Sequence, residues 1–230
     1  MKAIKIKALV LVFLLSILAT PVQANASSTQ SDCSLPTAPD TLQNVNSLVT
    51  PNIEPTSARI ASITVKVNSP CDDKWRETYP NTWMSEANTA VEAADDQLYE
   101  WFGIDFVSVA QNTWTSPSSG TSKTYIDDAI NDVGLKSGAQ IMIAFSGASP
   151  GAGGVAYMNS TYCVVFDQGT VNNGWVIRHE VGHLYGCPDE YNTTTGQFTS
   201  KVCLMNNCYS YYDTLCSSCM SIWDSNKDTK

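Results

Sequence analysis

The sequence predicts a mixed fold of helices and strands, in a single domain that follows a separate N-terminal part. The chain has 230 residues, of which 43% are hydrophobic and 15% charged. This is enough apolar material for one sizeable core and too little for several. Helical and strand-like patterns alternate between residues 58 and 185. No internal repeat or linker divides the region after residue 58, so we expect one domain over residues 58–230.

Residues 1–26 have the pattern of a signal peptide. Three lysines precede an apolar run at residues 8–19, and Ala24 and Ala26 supply the small residues that a signal peptidase prefers. The apolar run is too short to cross a bilayer comfortably. We expect cleavage at one of these alanines and a secreted, extracellular product with no stable membrane insertion. An uncleaved N-terminal anchor is the alternative.

The acidic charge of the chain argues against one class of partner. The sequence has 13 basic and 22 acidic residues, which gives a formal net charge of −9. Proteins that bind nucleic acid through their surface normally present a basic face. We therefore expect no nucleic-acid partner.

The first predicted elements are an irregular leader, a strand and a long helix. Residues 27–57 are rich in Ser, Thr, Pro and Asn and show little periodicity, which predicts an irregular leader or a short pro-segment. The domain should begin with a strand near residues 60–67. A long helix follows, with Thr82 or Ser85 as its N-cap. Gly103 can end that helix because glycine readily adopts the left-handed conformation of a C-terminus.

The later elements continue the alternation of strands and helices. Residues 140–145 form a continuous apolar run, which is typical of a central strand buried on both faces. Glycines and a proline at residues 149–154 indicate a loop after it. The remaining patterns predict a strand at 104–110, a helix at 125–133, strands at 155–158 and 162–166, and a helix from about 173 to 185.

One segment of the last predicted helix combines residues that can bind a metal ion. His179 and His183 stand four positions apart, so a helix places their imidazoles on one face. Glu180 follows the first histidine and can point toward a water on the same ion, as a general base must. The chain contains no other histidine, so both of its imidazoles are committed to this segment.

The residues after the helix can supply a third ligand. Gly186 allows the chain to leave the helix sharply through a left-handed residue. Asp189 then arrives where it can turn back beneath the metal, and two imidazoles, one carboxylate and a water would give four-coordinate zinc. Glu190, one position further, is the alternative third ligand. We expect one catalytic zinc ion held by His179, His183 and Asp189.

The complete motif resembles that of a known group of proteins. The pattern H-E-x-x-H-x-x-G-x-x-D at residues 179–189, followed by Cys-Leu-Met at residues 203–205, resembles the metzincin clan of zinc metallopeptidases. Within that clan the resemblance is strongest to the snapalysin type of small secreted bacterial proteases, in which Asp replaces the usual third His. The specific match covers about residues 155–206, and upstream it rests only on the order of the elements.

The resemblance implies a fold and a set of roles. The fold is α+β and zincin- or metzincin-like, with a twisted mixed sheet, long helices and a small irregular C-terminal lobe. The roles carried over are zinc binding by His179, His183 and Asp189, general base catalysis by Glu180 and a supporting turn at Met205.

The function that follows from the resemblance is that of a secreted zinc-dependent endopeptidase. Such an enzyme hydrolyses peptide bonds with a zinc-activated water and takes protein or peptide substrates, and we expect it to be a monomer. An edge strand at residues 154–158 would pair with the extended substrate. The alternative is a zinc-binding interaction module or an inactive pseudo-peptidase, which the intact Glu180 disfavours because a pure binder needs no base.

The cysteines admit two interpretations. Eight cysteines follow the predicted cleavage sites, and their even number in an exported chain predicts disulfide bonds. The late cysteines, which include the Cys-x-x-Cys of Cys216 and Cys219, also resemble those of archaemetzincins, where cysteines bind a second, structural zinc. We expect disulfides and keep the second zinc as the alternative. For Cys33 in the leader we likewise expect a disulfide, with capping of the zinc by its thiolate as the other hypothesis.

Overall fold

A computed structural model of the chain describes residues 30–34, 62–136, 138–206 and 212–230. The signal peptide predicted for residues 1–26 lies outside the described residues, and so does the leader apart from residues 30–34. In the part of the chain that is described, no helix is both long and apolar enough to cross a membrane.

The centre of the fold is a six-stranded mixed sheet. Its strands are β1 (Gln30–Ser34), β2 (Ile63–Asn68), β3 (Ile104–Ala110), β4 (Ile141–Ser146), β5 (Ala152–Tyr157) and β6 (Tyr162–Phe166). Across the sheet they follow the order β1-β5-β6-β4-β2-β3. The four strands from β6 to β3 run parallel, whereas β5 lies antiparallel to both β6 and β1. The predicted mixed sheet is confirmed.

Helices cover both faces of this sheet. They are α1 (Asp73–Thr78), α2 (Trp83–Phe102), α3 (Ser122–Asp132), α4 (Thr170–Leu184) and α5 (Ser217–Asn226), and a short 3-10 helix (Lys227–Thr229) follows α5. α2 begins after Thr82, one of the two predicted caps, and its apolar residues bury one face. Gly103 ends it with a φ of 70° in the left-handed region, as predicted.

The central strand β4 is buried on both faces, which explains its continuous apolar sequence. Ile143 and Phe145 belong to the core that α2 and α4 cover. Met142 and Ala144 point to the other face and pack in a second core with α3. The sheet is therefore covered by helices on both sides, and α4 is held firmly against it.

Four described elements have no counterpart among the predicted ones: β1, α1, α5 and the 3-10 helix. The leader was predicted to be irregular, and residues 30–34 correct that expectation because they form a strand against β5. α5 is fixed by tertiary packing, since the buried Trp223 stacks on Phe102 and Tyr185 at ring-centroid distances of 5.1 and 5.3 Å. The C-terminal part is otherwise mainly irregular, in line with the expected small lobe.

Candidate metal centre

The turn after α4 positions the last part of the site. α4 ends at Leu184, and Gly186 follows with a φ of 93°, which is the left-handed conformation expected from the sequence. A Cβ atom on Gly186 would also lie only 2.6 Å from Asn159 Oδ1. The left-handed backbone conformation therefore favours glycine here, and the turn carries the chain back toward α4.

Three predicted ligands come together at this turn. Asp189 Oδ1 lies 3.4 Å from His179 Nε2 and 3.3 Å from His183 Nε2, and these three atoms all lie within 4.8 Å of one another. Atoms bound tetrahedrally to one zinc ion at about 2.1 Å lie about 3.4 Å apart. The spacing therefore suits a single zinc ion.

The two imidazoles are oriented by backbone carbonyl groups. His179 Nδ1 lies 2.9 Å from the carbonyl oxygen of Leu204, and His183 Nδ1 lies 2.8 Å from that of Cys187. Because a carbonyl oxygen only accepts hydrogen bonds, each Nδ1 must carry the proton. Each Nε2 is then left as a lone pair, the form in which histidine binds metal.

The ligand atoms are buried and unsatisfied. His179 Nε2, His183 Nε2 and Asp189 Oδ1 make no hydrogen bond within the described residues, although the three side chains are at most 4% exposed. Buried polar atoms without partners are rare in folded proteins, and here they face one point. A cation at that point satisfies all of them, so the donor set fits zinc.

The charge of Asp189 also suits a cation site. Burial raises the pKa of its carboxyl group, but the interactions with His183 and His179 outweigh burial and hold the pKa below its usual range. This direction favours the carboxylate, which is the form that binds a metal ion.

Glu180 occupies a buried position between α4 and β5. Its side chain is fully buried and packs against the backbone of Gly154, where a Cβ atom would lie 2.6 Å from both Glu180 Cγ and Glu180 Oε1. Only glycine leaves room for the carboxylate at this point of β5. The structure thus places Glu180 beside β5 and next to His179 in the helix.

Glu190, the alternative third ligand, points elsewhere. Its Oε2 accepts a hydrogen bond from Lys201 Nζ, and its Oε1 lies 3.7 Å from Cys216 Sγ. Its backbone N–H donates to the carbonyl oxygen of Met205 at 2.7 Å, which fixes the chain direction after Asp189. Of the two acidic residues, Asp189 therefore contacts the imidazoles, whereas Glu190 pairs with Lys201.

The segment that contains Met205 lies directly against α4. A Cβ atom at Gly182 would lie 2.5 Å from Met205 Sδ, so this glycine allows the methionine to approach the helix next to His183. Met205 is fully buried. Tyr191 flanks the same region, with its ring stacked on His179 at 6.5 Å between centroids.

Three contributors to this centre were not predicted from the sequence. Two are the carbonyl groups of Leu204 and Cys187, for which no sequence signal exists because every residue has a carbonyl group. The third is Gly154, which we assigned to a loop or strand boundary. A glycine at the start of a strand pattern can mark a close approach to another group, and that signal could have found it.

The fold and the site together define a metallopeptidase. The Reprolysin_5 sequence model of metallo-peptidase family M12 matches residues 61–221, and the chain belongs to that family. Zinc is the cofactor that the family implies. No curated protein matches the chain.

A solved structure shows a similar fold. It is titled "Structure of a chaperone-substrate complex", and it matches with a TM-score of 0.55 at 15% sequence identity. The match covers 74% of this chain but 35% of the other one, so the present chain spans about a third of that protein. At this identity the likeness concerns the fold alone.

Proposed function

We propose that the protein is a secreted zinc endopeptidase of the snapalysin type, with one catalytic zinc held by His179, His183 and Asp189. The observation that carries the proposal is that three buried ligand atoms lie close together. None of them has a hydrogen-bond partner among the described residues, so their lone pairs are free to bind a metal ion. The Asp in the third position, rather than His, supports the snapalysin type. Family membership supports the broader class of metallopeptidase.

The proposed chemistry needs a base beside the metal. When bound, zinc polarises the scissile carbonyl group and makes water more acidic. Glu180 accepts the proton of the attacking water and passes it to the leaving amine, and its burial against Gly154 holds the carboxylate in place. His179 and His183 are kept in the metal-binding tautomer by their carbonyl partners.

The side of β5 that β1 covers in the structure is the proposed site of substrate pairing. An extended peptide can add to β5 as a further strand, with its backbone supplying the hydrogen bonds. In the structure β1 of the leader holds this edge, antiparallel to β5, with Asp32 opposite Val155 and Ser34 opposite Ala152. A substrate must displace β1, so we propose that residues 27–57 are a pro-segment that leaves before full activity.

Export is part of the proposal and rests on the pattern of residues 1–26. The measurement is N-terminal sequencing of the product in the culture medium. A start at residue 25 or 27 is expected from the two candidate cleavage sites. A chain that remains with the cells and keeps its first residues contradicts secretion without affecting the enzymatic proposal.

The activity is tested by casein digestion before and after chelation. We expect a chelator to abolish cleavage and added zinc to restore it. Glu180→Gln should keep one catalytic zinc and lose about 10²- to 10⁴-fold in turnover, since it loses only the general base. Glu92→Gln, at an exposed position on α2, is the matched control and should cleave as the wild type does. A zinc-loaded, leader-free wild type that cuts no peptide bond supports the alternative of a zinc-binding interaction module.

A further inference from the structure

The residue before the first zinc-binding histidine is a buried arginine that the proposed mechanism does not use. Arg178 lies on α4 and is 7% exposed. Its Nη1 donates to the carbonyl oxygen of Ala93 in α2 at 3.0 Å, and its Nη2 donates to Asp213 Oδ1 at 2.5 Å. A buried charge is costly unless it is paired. Arg178 is paired here, and it thereby joins α4 to α2 and to the segment before α5.

The backbone next to Asp213 leads back to the metal centre. The carbonyl oxygen of Thr214, the following residue, accepts a hydrogen bond from the N–H of Leu204 at 2.6 Å. Leu204 in turn supplies the carbonyl oxygen that lies 2.9 Å from His179 Nδ1. The contacts that begin at Arg178 therefore return to His179, its neighbour in the chain. The ion pair and the imidazole belong to one closed series of contacts.

We propose that Arg178 and Asp213 are positioning residues for the zinc ligand His179. The ion pair holds the segment before α5 against α4, so the carbonyl group of Thr214 stays within reach of the Leu204 N–H. This hydrogen bond fixes the direction of the Leu204 carbonyl group, which keeps the proton of the imidazole on Nδ1 and leaves the lone pair of Nε2 for the metal. No covalent or redox step is involved. The inference rests on the proposed function only in that the histidine group binds zinc.

An arginine suits this role better than a lysine. Its planar guanidinium holds several N–H groups in fixed directions, so it can donate to two elements at once, whereas a lysine ammonium acts as a compact point charge. Burial lowers the pKa of Arg178, and the Asp213 carboxylate opposes that shift because it stabilises the charged form. The Asp213 side chain is 59% exposed, and exposed pairs contribute little to overall stability. The expected effect of the pair is therefore local.

The second histidine provides an internal comparison. His183 Nδ1 lies 2.8 Å from the carbonyl oxygen of Cys187, and that contact does not pass through Asp213. Loss of the Asp213 carboxylate should therefore loosen His179 and leave His183 as it is. A general loss of stability would instead affect both imidazoles.

The first experiment follows the two imidazole Nδ1 protons by NMR in the full chain loaded with zinc. The chain has two histidines, and the signal of His179 is recognised by its stacking on Trp175 at 6.2 Å between ring centroids. In Asp213→Asn we expect the His179 proton to exchange with solvent at least about threefold faster, because its acceptor is held less firmly. The His183 proton should exchange at the wild-type rate.

The matched control for this experiment is Asp224→Asn. The side chain of Asp224 is 61% exposed and pairs with Lys227 Nζ at 2.7 Å, so the same substitution removes an ion pair between α5 and the 3-10 helix that follows it. Both Nδ1 protons should exchange as in the wild type. Unchanged exchange of the His179 proton in Asp213→Asn, or equal acceleration of both protons, overturns the proposal.

The second experiment measures zinc affinity by isothermal titration of the metal-free chain. Loss of a partner that orients a metal-binding histidine typically lowers metal affinity about 10- to 100-fold. Asp213→Asn loosens such a partner without removing it, so we expect a smaller loss of about three- to tenfold. Asp213→Glu keeps the carboxylate and should restore the affinity to within about twofold of the wild type. Wild-type affinity in Asp213→Asn, or no recovery in Asp213→Glu, contradicts the positioning role.

A double-mutant cycle tests whether the two residues act together. Arg178→Gln should lose at least as much zinc affinity as Asp213→Asn, and the double variant should lose no more than Arg178→Gln alone, because both changes remove the same contact. Fully additive losses overturn the proposal. If Arg178→Gln fails to fold, the variants at the exposed Asp213 decide alone. A wild-type chain that binds no zinc contradicts the proposed function instead, and the two Nδ1 protons then test the contacts in the metal-free chain.

Discussion

The two ligand groups of this protein share one stretch of chain but differ in chemistry. The histidine group offers two nitrogens and one oxygen, with Glu180 beside them and the edge of β5 close by. The cysteine group consists of Cys203, Cys216 and Cys219. It offers only sulfur, and its neighbouring carboxylate, Glu190, is held by Lys201. Three protein ligands can leave a fourth place on a metal ion for water. The histidine group therefore has a neighbouring carboxylate that is suited to act as a base, whereas the carboxylate beside the cysteine group is already paired.

The largest expected effect is on zinc affinity, and it distinguishes Asp189 from Glu190. Asp189→Asn should lower zinc affinity of the histidine group by more than about 100-fold and abolish casein cleavage, because a neutral amide replaces a ligand carboxylate. Glu190→Gln should change the affinity by less than about twofold. Isothermal titration of the metal-free chain with zinc measures both. Equal losses in the two variants contradict the geometry of the turn after Gly186.

The next effect concerns the leader strand on the edge of β5. A chain that starts at residue 58 should cleave casein at least about tenfold faster than the chain that retains residues 27–57, because the substrate no longer competes with β1. The measurement compares initial rates at equal zinc occupancy. Cys33→Ser in the longer chain is the control, since it distinguishes strand pairing from a thiolate that caps the metal. Equal rates for the two lengths show that β1 does not obstruct the site.

A substitution at Gly154 tests the position of the general base. Gly154→Ala places a methyl group 2.6 Å from Glu180 Oε1, so the carboxylate must move. We expect kcat to fall about 10- to 100-fold while zinc stays bound, since small displacements of a catalytic group cost this much. Gly151→Ala is the control, because no atom lies within 4 Å of its added Cβ. Unchanged turnover in Gly154→Ala removes Glu180 from the role of base.

A smaller effect tests the packing of Met205 beneath α4. Gly182→Ala brings a Cβ atom to 2.5 Å from Met205 Sδ and 3.2 Å from Trp223 Cζ3. Overpacking of this kind lowers the free energy of unfolding by about 1–3 kcal/mol. Urea denaturation measures it, with Thr89→Ala on the exposed face of α2 as the control. If Gly182→Ala leaves the free energy of unfolding unchanged, the segment around Met205 can move away from α4 at little cost in free energy.

The smallest expected effect is on stability, and it depends on the pH through Asp95 in α2. Burial raises the pKa of Asp95 to about 6, even though its Oδ1 accepts a hydrogen bond from the N–H of Phe106. The folded chain therefore holds this proton more tightly than the unfolded chain, and stability falls as the pH rises from about 4 to about 6. Asp95→Asn should remove this slope and stabilise the protein at pH 7 by about 1 kcal/mol, after allowance for solvent screening. Denaturation at both pH values checks it.

The sequence was most informative where structure depends on near neighbours. The bounds predicted for β3 and β6 agree with the structure, and Gly103 and Gly186 adopt the left-handed conformations expected of them. These features follow from periodicity and from the backbone freedom of glycine, which act over a few residues. For the same reason the i, i+4 spacing of the histidines already placed them on one face of a helix.

The elements that the sequence did not predict depend on contacts between distant parts of the chain. The pairing of β1 with β5 joins residues that are more than a hundred positions apart, and nothing in a polar leader indicates it. α5 lacks a strong apolar face of its own and depends on Trp223 meeting Phe102 and Tyr185. Local patterns do not carry this information because the stabilising partner is elsewhere.

The sequence by itself predicted the candidate metal ligands, with Glu190 left as an alternative to Asp189, and it determined the helix that presents the two histidines and the left-handed turn after it. Only the tertiary structure decided that Asp189 faces the imidazoles while Glu190 turns away, and that Leu204 and Cys187 orient the histidines. It also decided that the late thiols meet at one point. The physical reason is that side-chain type and local spacing set what a residue can bind, whereas long-range packing sets which atoms are near enough to bind together.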